Sequence, residues 1–269
     1  MSAPVVTLLT DYGPHSEHVG AVHAVLVAAD PGIVRVDFAH DIPPGDIRFG
    51  AVVLARLATL LPDAVHLAVV DPGVGSARRA LAVRLVGGGY VVGPDNGLIG
   101  PATGALGAAA AVELPTPSGA AATFDGRDVF APAAARLALG ADLARLGTAI
   151  DPATIMSVAV PRVEASPGLL RAEIIGSDRF GNVQLAARAE DAQAAGILTG
   201  RNVELTGPTG RHVALVARTF GDAARGALVV YIDSHGHVAV AENCGEAAAR
   251  LGARAGVTLT VAVTPAPAP

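Results

Sequence analysis

The residues whose type and spacing could do chemistry are Asp71 and Arg78, seven positions apart in Leu67-Ala-Val-Val-Asp-Pro-Gly-Val-Gly-Ser-Ala-Arg-Arg79. An apolar strand that stops at Val70 hands Asp71 to the rim of a sheet, and the Pro-Gly-Val-Gly turn swings Arg78 back toward it. Open α/β sheets build their sites in this way, at the carboxyl ends of strands. The pair is therefore expected to flank a small-molecule site in a soluble enzyme. Three further polar turns, Thr10-Asp11, Asp95-Asn96 and Asp125 to Asp128, fall where predicted strands or loops end on the same side of one sheet. An Asp before Gly is by itself an ordinary turn former, but four such turns converging on one edge form the pattern of a ligand site.

Composition removes several other chemistries. All 19 basic residues are arginine, so Schiff-base formation, a P-loop lysine and a lysine general base are excluded. Cys244 is the only cysteine, which excludes an internal disulfide and a cysteine-based zinc cluster and fits a reducing cytosol. A net charge of -5 with scattered arginines offers no footprint for nucleic acid. There is no apolar run of the roughly 18 residues a membrane span needs, and Met-Ser-Ala-Pro leads directly into a strand with no basic leader. A cytoplasmic protein with no nucleic-acid or membrane partner is expected. His15, His18 and His23 lie close in sequence but lack a cysteine or an organised carboxylate partner, and are read as solvated polar residues rather than metal ligands. His40, at a strand end, is read as a hydrogen-bonded structural residue.

The elements that must position Asp71 and Arg78 follow a βαβ pattern. Strands are expected at Val5 to Thr10, Ile33 to Phe38 and Ala64 to Val70, with helices at Val19 to Ala29 and, capped by Asp46, to about Leu61. Leu81 to Leu85 and Tyr90 to Val92 read as a hairpin, and Gly104 to Val112 is ambiguous between helix and strand. A helix is expected from about Val129 to Leu139, with Asp128 as its cap. Near Asp151 the pattern changes to short β segments: Leu169 to Ile175, Asn202 to Leu205, His212 to Val216, Ala227 to Ile232, His237 to Ala241 and Gly256 to Val263, with one short helix near Glu246 to Leu251. The expected fold class is α/β: an N-terminal, mainly parallel sheet flanked by helices over residues 1-155, and a smaller antiparallel β-barrel-like domain over 165-264. Residues 265-269 are expected to be a disordered tail.

Six motifs taken together carry a resemblance. They are Thr10-Asp-Tyr-Gly13, Val69-Val-Asp-Pro-Gly-Val-Gly75 with Arg78, Pro94-Asp-Asn-Gly97, Phe124-x-Gly-Arg-Asp128, Asp178-x-Phe-Gly-Asn182 and Ser234-x-Gly236. In order and extent they resemble the S-adenosylmethionine hydroxide adenosyltransferases, relatives of the fluorinase and chlorinase enzymes. The resemblance implies an N-terminal α/β domain, a C-terminal β-barrel-like domain and a homotrimer with sites between neighbouring subunits. It also implies the reaction, in which water attacks the ribose 5′ carbon of S-adenosylmethionine to give adenosine and methionine. No cofactor is implied, because a sulfonium is already a good leaving group and needs only a dry, oriented nucleophile.

The resemblance assigns roles residue by residue. Asp71 and Arg78 match two members of a water-handling triad; the third, a histidine in the family's hydrolases, is replaced here by Asp125. Two carboxylates would then share one arginine, with Asp71, Arg78 and Asp125 as the catalytic set. Asp11 matches the carboxylate that accepts from the ribose hydroxyls. Phe124, in the same motif as Asp125, is expected to contact the substrate. Phe180 and Asn182 match adenine contacts, Asp178 faces the methionine ammonium, and Ser234 contacts the methionine carboxylate, with His235 where the halogenases carry arginine. Those halogenases place a tyrosine where Asp71 stands, and the fluorinase has a serine at Gly126 and an insertion for which Val83 to Tyr90 leaves no room. Hydrolysis is expected over two alternatives, a chlorinase-like 5′-halogenation and a non-catalytic S-adenosylmethionine-binding or adenosine-binding trimer.

Overall fold

The computed structural model describes residues 3–159 and 161–264. The tail expected at 265-269 lies outside the described residues. The chain divides into two compact units, Met1–Val158 and Ala159–Pro269.

The first unit opens with β1 (Val5–Thr10), α1 (Glu17–Ala29), β2 (Val34–Ala39), α2 (Ile47–Ala58) and β3 (Val65–Val69). It continues through β4 (Ala80–Leu85), β5 (Tyr90–Pro94), α3 (Gly100–Leu106), β6 (Ala108–Glu113), α4 (Ala131–Ala138) and β7 (Thr148–Ile150). These strands make one sheet in the order β2-β1-β3-β5-β4-β6-β7. The first four in that order run parallel, while β4, β6 and β7 are antiparallel to their neighbours.

The apolar runs are continuous because both faces of the sheet are covered. Val65, Leu67 and Val69 of β3 pack with Val22 and Leu26 of α1 and with the alanine-rich α4. Ala68 and Val70 turn the other way, toward Val53 and Leu54 of α2 and Ala102 of α3. This alternation is the period-2 geometry of a strand at work on two cores. Because β1, β3 and β5 are parallel, their carboxyl ends at Thr10, Val69 and Pro94 share one edge of the sheet.

Several local expectations hold. Asp46 caps α2 by accepting from the Phe49 amide at 2.9 Å. Ser16 caps α1, accepting from the His18 amide at 3.2 Å and starting that helix earlier than the apolar pattern indicated. Gly104 to Val112 contains both alternatives: α3 ends at Leu106, Gly107 turns with φ 75°, and β6 begins at Ala108.

Asp128 is a correction. It does not cap a helix, because the chain already winds through a wide π turn from Gly126 to Phe130, in which the Ala131 amide reaches back to the Gly126 carbonyl. The Asp128 carboxylate instead accepts from the Ala121 amide at 2.8 Å and pairs with Arg127.

The second unit contains β8 (Val163–Ser166), β9 (Leu169–Ser177), β10 (Val183–Arg188), α5 (Ala189–Ala194), β11 (Asn202–Gly207) and β12 (Gly210–Val216). It ends with β13 (Leu228–Ile232), β14 (His237–Glu242), α6 (Ala247–Leu251) and β15 (Thr258–Val263). Seven strands close on themselves in the order β10-β14-β13-β12-β11-β15-β9, with β9 pairing back to β10, and β8 adds to β9. Closure removes the exposed edges that an open sheet of this size would present. The barrel departs from the antiparallel expectation at one seam, where β12 and β13 run parallel. The short β8 and β10 were not anticipated from the sequence.

Candidate active site

Asp71 follows β3 and Arg78 precedes β4, so the six residues between them cross the carboxyl edge of the sheet. Gly75, at φ 78°, lies so near the next loop that a Cβ there would sit 2.7 Å from the Ala122 carbonyl oxygen. The tight turn therefore depends on glycine at this position.

The guanidinium of Arg78 is held from two sides. Its Nε donates to both Asp71 carboxylate oxygens, at 2.9 and 3.1 Å, and its Nη2 donates to Asp71 Oδ2 and also to Asp125 Oδ2. Asp125 lies 47 residues further along the chain, at the entry to the π turn. The three side chains are only 10, 4 and 12% exposed for Arg78, Asp71 and Asp125, so water weakens their attraction little. The Phe130 ring lies 5.4 Å below the guanidinium carbon. Burial alone would lower the Arg78 pKa; the hydrogen bonds and charges of Asp71 and Asp125 outweigh it and raise it above the ordinary arginine value. The cluster thus holds one fixed positive charge between two carboxylates.

Asp11, at the end of β1, accepts at Oδ2 from the Gly45 amide at 2.9 Å, which ties the Thr10–Gly13 turn to the loop before α2. Tyr12 lies beside it in the same turn. Burial, then the charges of Asp11, Asp71 and Asp125, push its phenol well above the ordinary tyrosine value against a smaller pull from Arg78. Tyr12 is thus a neutral hydroxyl bordering all three acids. A Cβ on Gly126 would sit 2.2 Å from its Oη. Phe124 packs edge-on to Tyr12 at 6.0 Å and to His18 at 4.8 Å, and carries the Arg127 guanidinium 4.9 Å over its ring.

Asp95 and Asn96 stabilise the edge. Asp95 pairs with Arg79, the neighbour of Arg78, and accepts from the Met156 amide at 2.8 Å. Asn96 Nδ2 donates to the Val70 carbonyl at 2.9 Å, immediately before Asp71. A cavity of about 360 Å³ lined by Pro4, Leu61, Asp63 and Tyr90 opens at the opposite, amino-terminal edge of the sheet and contains none of the residues above.

The remaining predicted residues lie on the second unit. Asp178 to Asn182 is the β9–β10 turn, where Asp178 Oδ1 accepts from the amides of Phe180 and Asn182 at 2.9 Å each, and Oδ2 accepts from Asn182 Nδ2 at 2.8 Å. This turn leaves the Phe180 ring 62% exposed, with Arg179 4.7 Å over it. Ser234 and His235 are exposed in the β13–β14 turn, whose backbone is held by Asp233 accepting from the amides of His235 and His237. Register places the two turns at opposite ends of the β10–β14 pair, since Val183 faces Val240 and Arg188 faces His237. Tyr231 registers both: burial, then Asp178 and Asp233, push its phenol up to about 12.

Residues 6–147 match the SAM hydroxide adenosyltransferase N-terminal domain and residues 172–260 the corresponding C-terminal domain. The (R)-S-adenosyl-L-methionine hydrolase of Salinispora tropica is 48% identical over 263 residues, covering 96% of this chain and 97% of the relative. A fluorinase from an Actinoplanes species is 28% identical, over 96% and 97% of the two chains. A crystal structure of a conserved protein from Thermotoga maritima superposes with a TM-score of 0.88 at 29% identity, over 96% of this chain and 99% of the other.

Proposed function

The chain belongs to the SAM hydroxide adenosyltransferase family, and from that premise we propose that it hydrolyses S-adenosyl-L-methionine to adenosine and L-methionine. The observation that carries this reading is the buried Arg78 guanidinium shared between Asp71 and Asp125. A water held there by the fixed positive charge would meet the ribose 5′ carbon. As its oxygen bonds to C5′, the C5′–S bond breaks with its electron pair going to sulfur, which leaves as the neutral thioether of methionine. One proton is released from the water and passes to a carboxylate. Charge disappears from the sulfonium, so no acid or metal is required at the leaving group, and no cofactor is proposed.

The two carboxylates differ in how much of them Arg78 occupies. Asp71 uses both oxygens on Arg78, whereas Asp125 meets it through Oδ2 alone. Asp71 therefore suits the task of fixing the guanidinium, and Asp125 that of taking the proton. This gives Asp125 the place of the histidine that the family resemblance leads one to expect. Asp11 would accept from the ribose hydroxyls, as two carboxylate oxygens can. Adenine contacts from Phe180 and Asn182, methionine contacts from Asp178 and Ser234, a homotrimer with shared sites and a cytoplasmic setting belong to the same proposal. Two features disfavour halogenation: an anionic Asp71 repels halide, and the Tyr12 hydroxyl fills the space a serine at position 126 would need.

The test is incubation with S-adenosylmethionine, with and without chloride, followed by chromatography of the nucleosides. Adenosine and methionine in equal amounts are expected. Formation of 5′-chloro-5′-deoxyadenosine, or tight binding without product, would replace this reading with a halogenase or a binding protein. Asp125→Asn is expected to lower kcat by about 10² to 10⁴, the usual contribution of a general base, and Asp125→His to retain most activity. If both variants turn over like the parent, Asp125 has no catalytic role.

A further inference from the structure

A second cluster of chemistry-bearing side chains lies behind the Thr10–Gly13 turn. His23 Nε2 is 2.9 Å from Asp37 Oδ1, and His40 Nε2 is 3.1 Å from the same oxygen. One ligand atom from each residue lies within 4.8 Å of the other two. His23 comes from α1, Asp37 from β2, and His40 follows that strand directly.

A regular strand would point positions 37 and 40 to opposite faces, because they are an odd number of residues apart. The β1–β2 register slips between them: Leu8 faces Asp37, yet Leu9 faces Ala39, so Phe38 is an extra residue on β2. That bulge reverses the alternation and brings His40 round to the side of Asp37. Bulges commonly re-aim a side chain in this way.

His40 is further fixed from behind. Its carbonyl accepts from the Gly13 amide at 2.7 Å, and its Nδ1 lies 2.8 Å from Thr10 Oγ1. Thr10 Oγ1 already accepts from the Tyr12 amide at 3.2 Å. It can also accept from a protonated Nδ1, which leaves the His40 Nε2 lone pair directed at the cluster. A metal-ligating histidine is typically held through its second nitrogen in this manner.

We propose that His23, Asp37 and His40 form a binding site for a divalent transition-metal ion of the zinc type, with the remaining coordination position open to solvent. A tetrahedral ion with bonds of about 2.0–2.2 Å separates neighbouring donor atoms by roughly 3.3–3.6 Å. The observed separations of 2.9 and 3.1 Å therefore need to widen by about 0.2–0.7 Å. Two imidazoles and one carboxylate favour such an ion over magnesium or calcium, which prefer sets of oxygen ligands. Bound there, the ion would join α1 to the end of β2 and, through His40 and Thr10, brace the turn that carries Asp11.

The test uses the full-length chain without an affinity tag, stripped of metal and titrated with Co²⁺ and with Zn²⁺. About one equivalent of Co²⁺ is expected to develop the visible absorption of a low-coordinate nitrogen and oxygen site, displaced by Zn²⁺ and not by Mg²⁺. His23→Ala and Asp37→Asn, both at partly exposed positions, should weaken binding by at least ~10-fold, whereas His15→Ala should leave it unchanged. Absence of a Co²⁺ spectrum, binding that survives both ligand variants, or displacement by Mg²⁺ would overturn the assignment. None of these readings depends on turnover of S-adenosylmethionine.

Discussion

Gly126 is the position where a single added carbon should do the most to the site. A Cβ built there sits 2.2 Å from Tyr12 Oη, 3.2 Å from Tyr12 Cζ and 3.5 Å from Phe124 Cε2. Relief to an ordinary contact of 3.4 Å or more requires the phenol to retreat by roughly 1 Å, the scale of forced shift that costs about 1–3 kcal/mol in a packed setting. The retreat would push Tyr12 off its edge-on contact with Phe124 and away from the three acids it borders. Gly126→Ala is therefore expected to destabilise the protein by about 1–3 kcal/mol and to lower kcat/KM by around 10², as for a misplacement of about 1 Å in a catalytic constellation. Tyr12→Phe deletes Oη and leaves Cζ at 3.2 Å as the nearest atom, a conflict of a few tenths of an ångström. In a double-mutant cycle read by urea unfolding and by adenosine release, the double variant should be more stable than the sum of the single effects by about 1–2 kcal/mol. Strict additivity would refute the contact as the cause, as would a fully active Gly126→Ala enzyme.

Other expectations rest on residues at both ends of the first sheet. Burial drives the His66 imidazole down to about 4 from an ordinary 6.5, against a weaker opposing bond to the Leu61 backbone. Below pH 6.5 the unfolded chain takes up a proton that the folded chain refuses until near pH 4, so stability is intact above the window and falls through it, by about 3 kcal/mol in all. Urea midpoints measured at pH 7.5 and 4.5 should show a smaller loss in His66→Asn than in the parent; equal losses would remove His66 as the source. Asp95→Ala leaves Arg79 and the Met156 amide without their carboxylate, a partly solvated pair whose loss should cost about 3 kcal/mol in a thermal or denaturant melt. A change below about 1 kcal/mol would show that Arg79 is held by Thr154 alone. Asp71→Asn should lower turnover by about 10² to 10⁴ with S-adenosylmethionine binding retained, and retained turnover would exclude Asp71 from the reaction.

What was legible in the sequence was whatever depends on neighbours along the chain. The continuous apolar runs at Val5 to Thr10 and Ala64 to Val70 can be buried only in a sheet covered on both faces. The helix start at Asp46 follows from a side chain three residues from the amide it caps, and the Asp71-to-Arg78 turn from its proline and glycines. β8 and β10 escaped because four to six residues of mixed polarity carry almost no periodic signal, and closing the barrel stabilises what local propensity does not. Asp128 was misplaced for a related reason, since the wide turn at Gly126 to Phe130 is set by the packing of Phe130 and by the approach of Tyr12 to Gly126, neither visible in the local pattern.

The sequence alone determined which groups are present and which short segments must pair, cap or turn, because those are contests between residues a few positions apart. Tertiary structure decided which groups meet. Only the parallel order of β1, β3 and β5 sets Asp71 and Arg78 beside the Thr10–Gly13 turn, and only the return of the chain through the π turn places Asp125 on the same guanidinium. Likewise only the bulge at Phe38 turns His40 toward Asp37 and His23. Each of these depends on register between segments tens of residues apart, where a slip of one position sends a side chain to the other face.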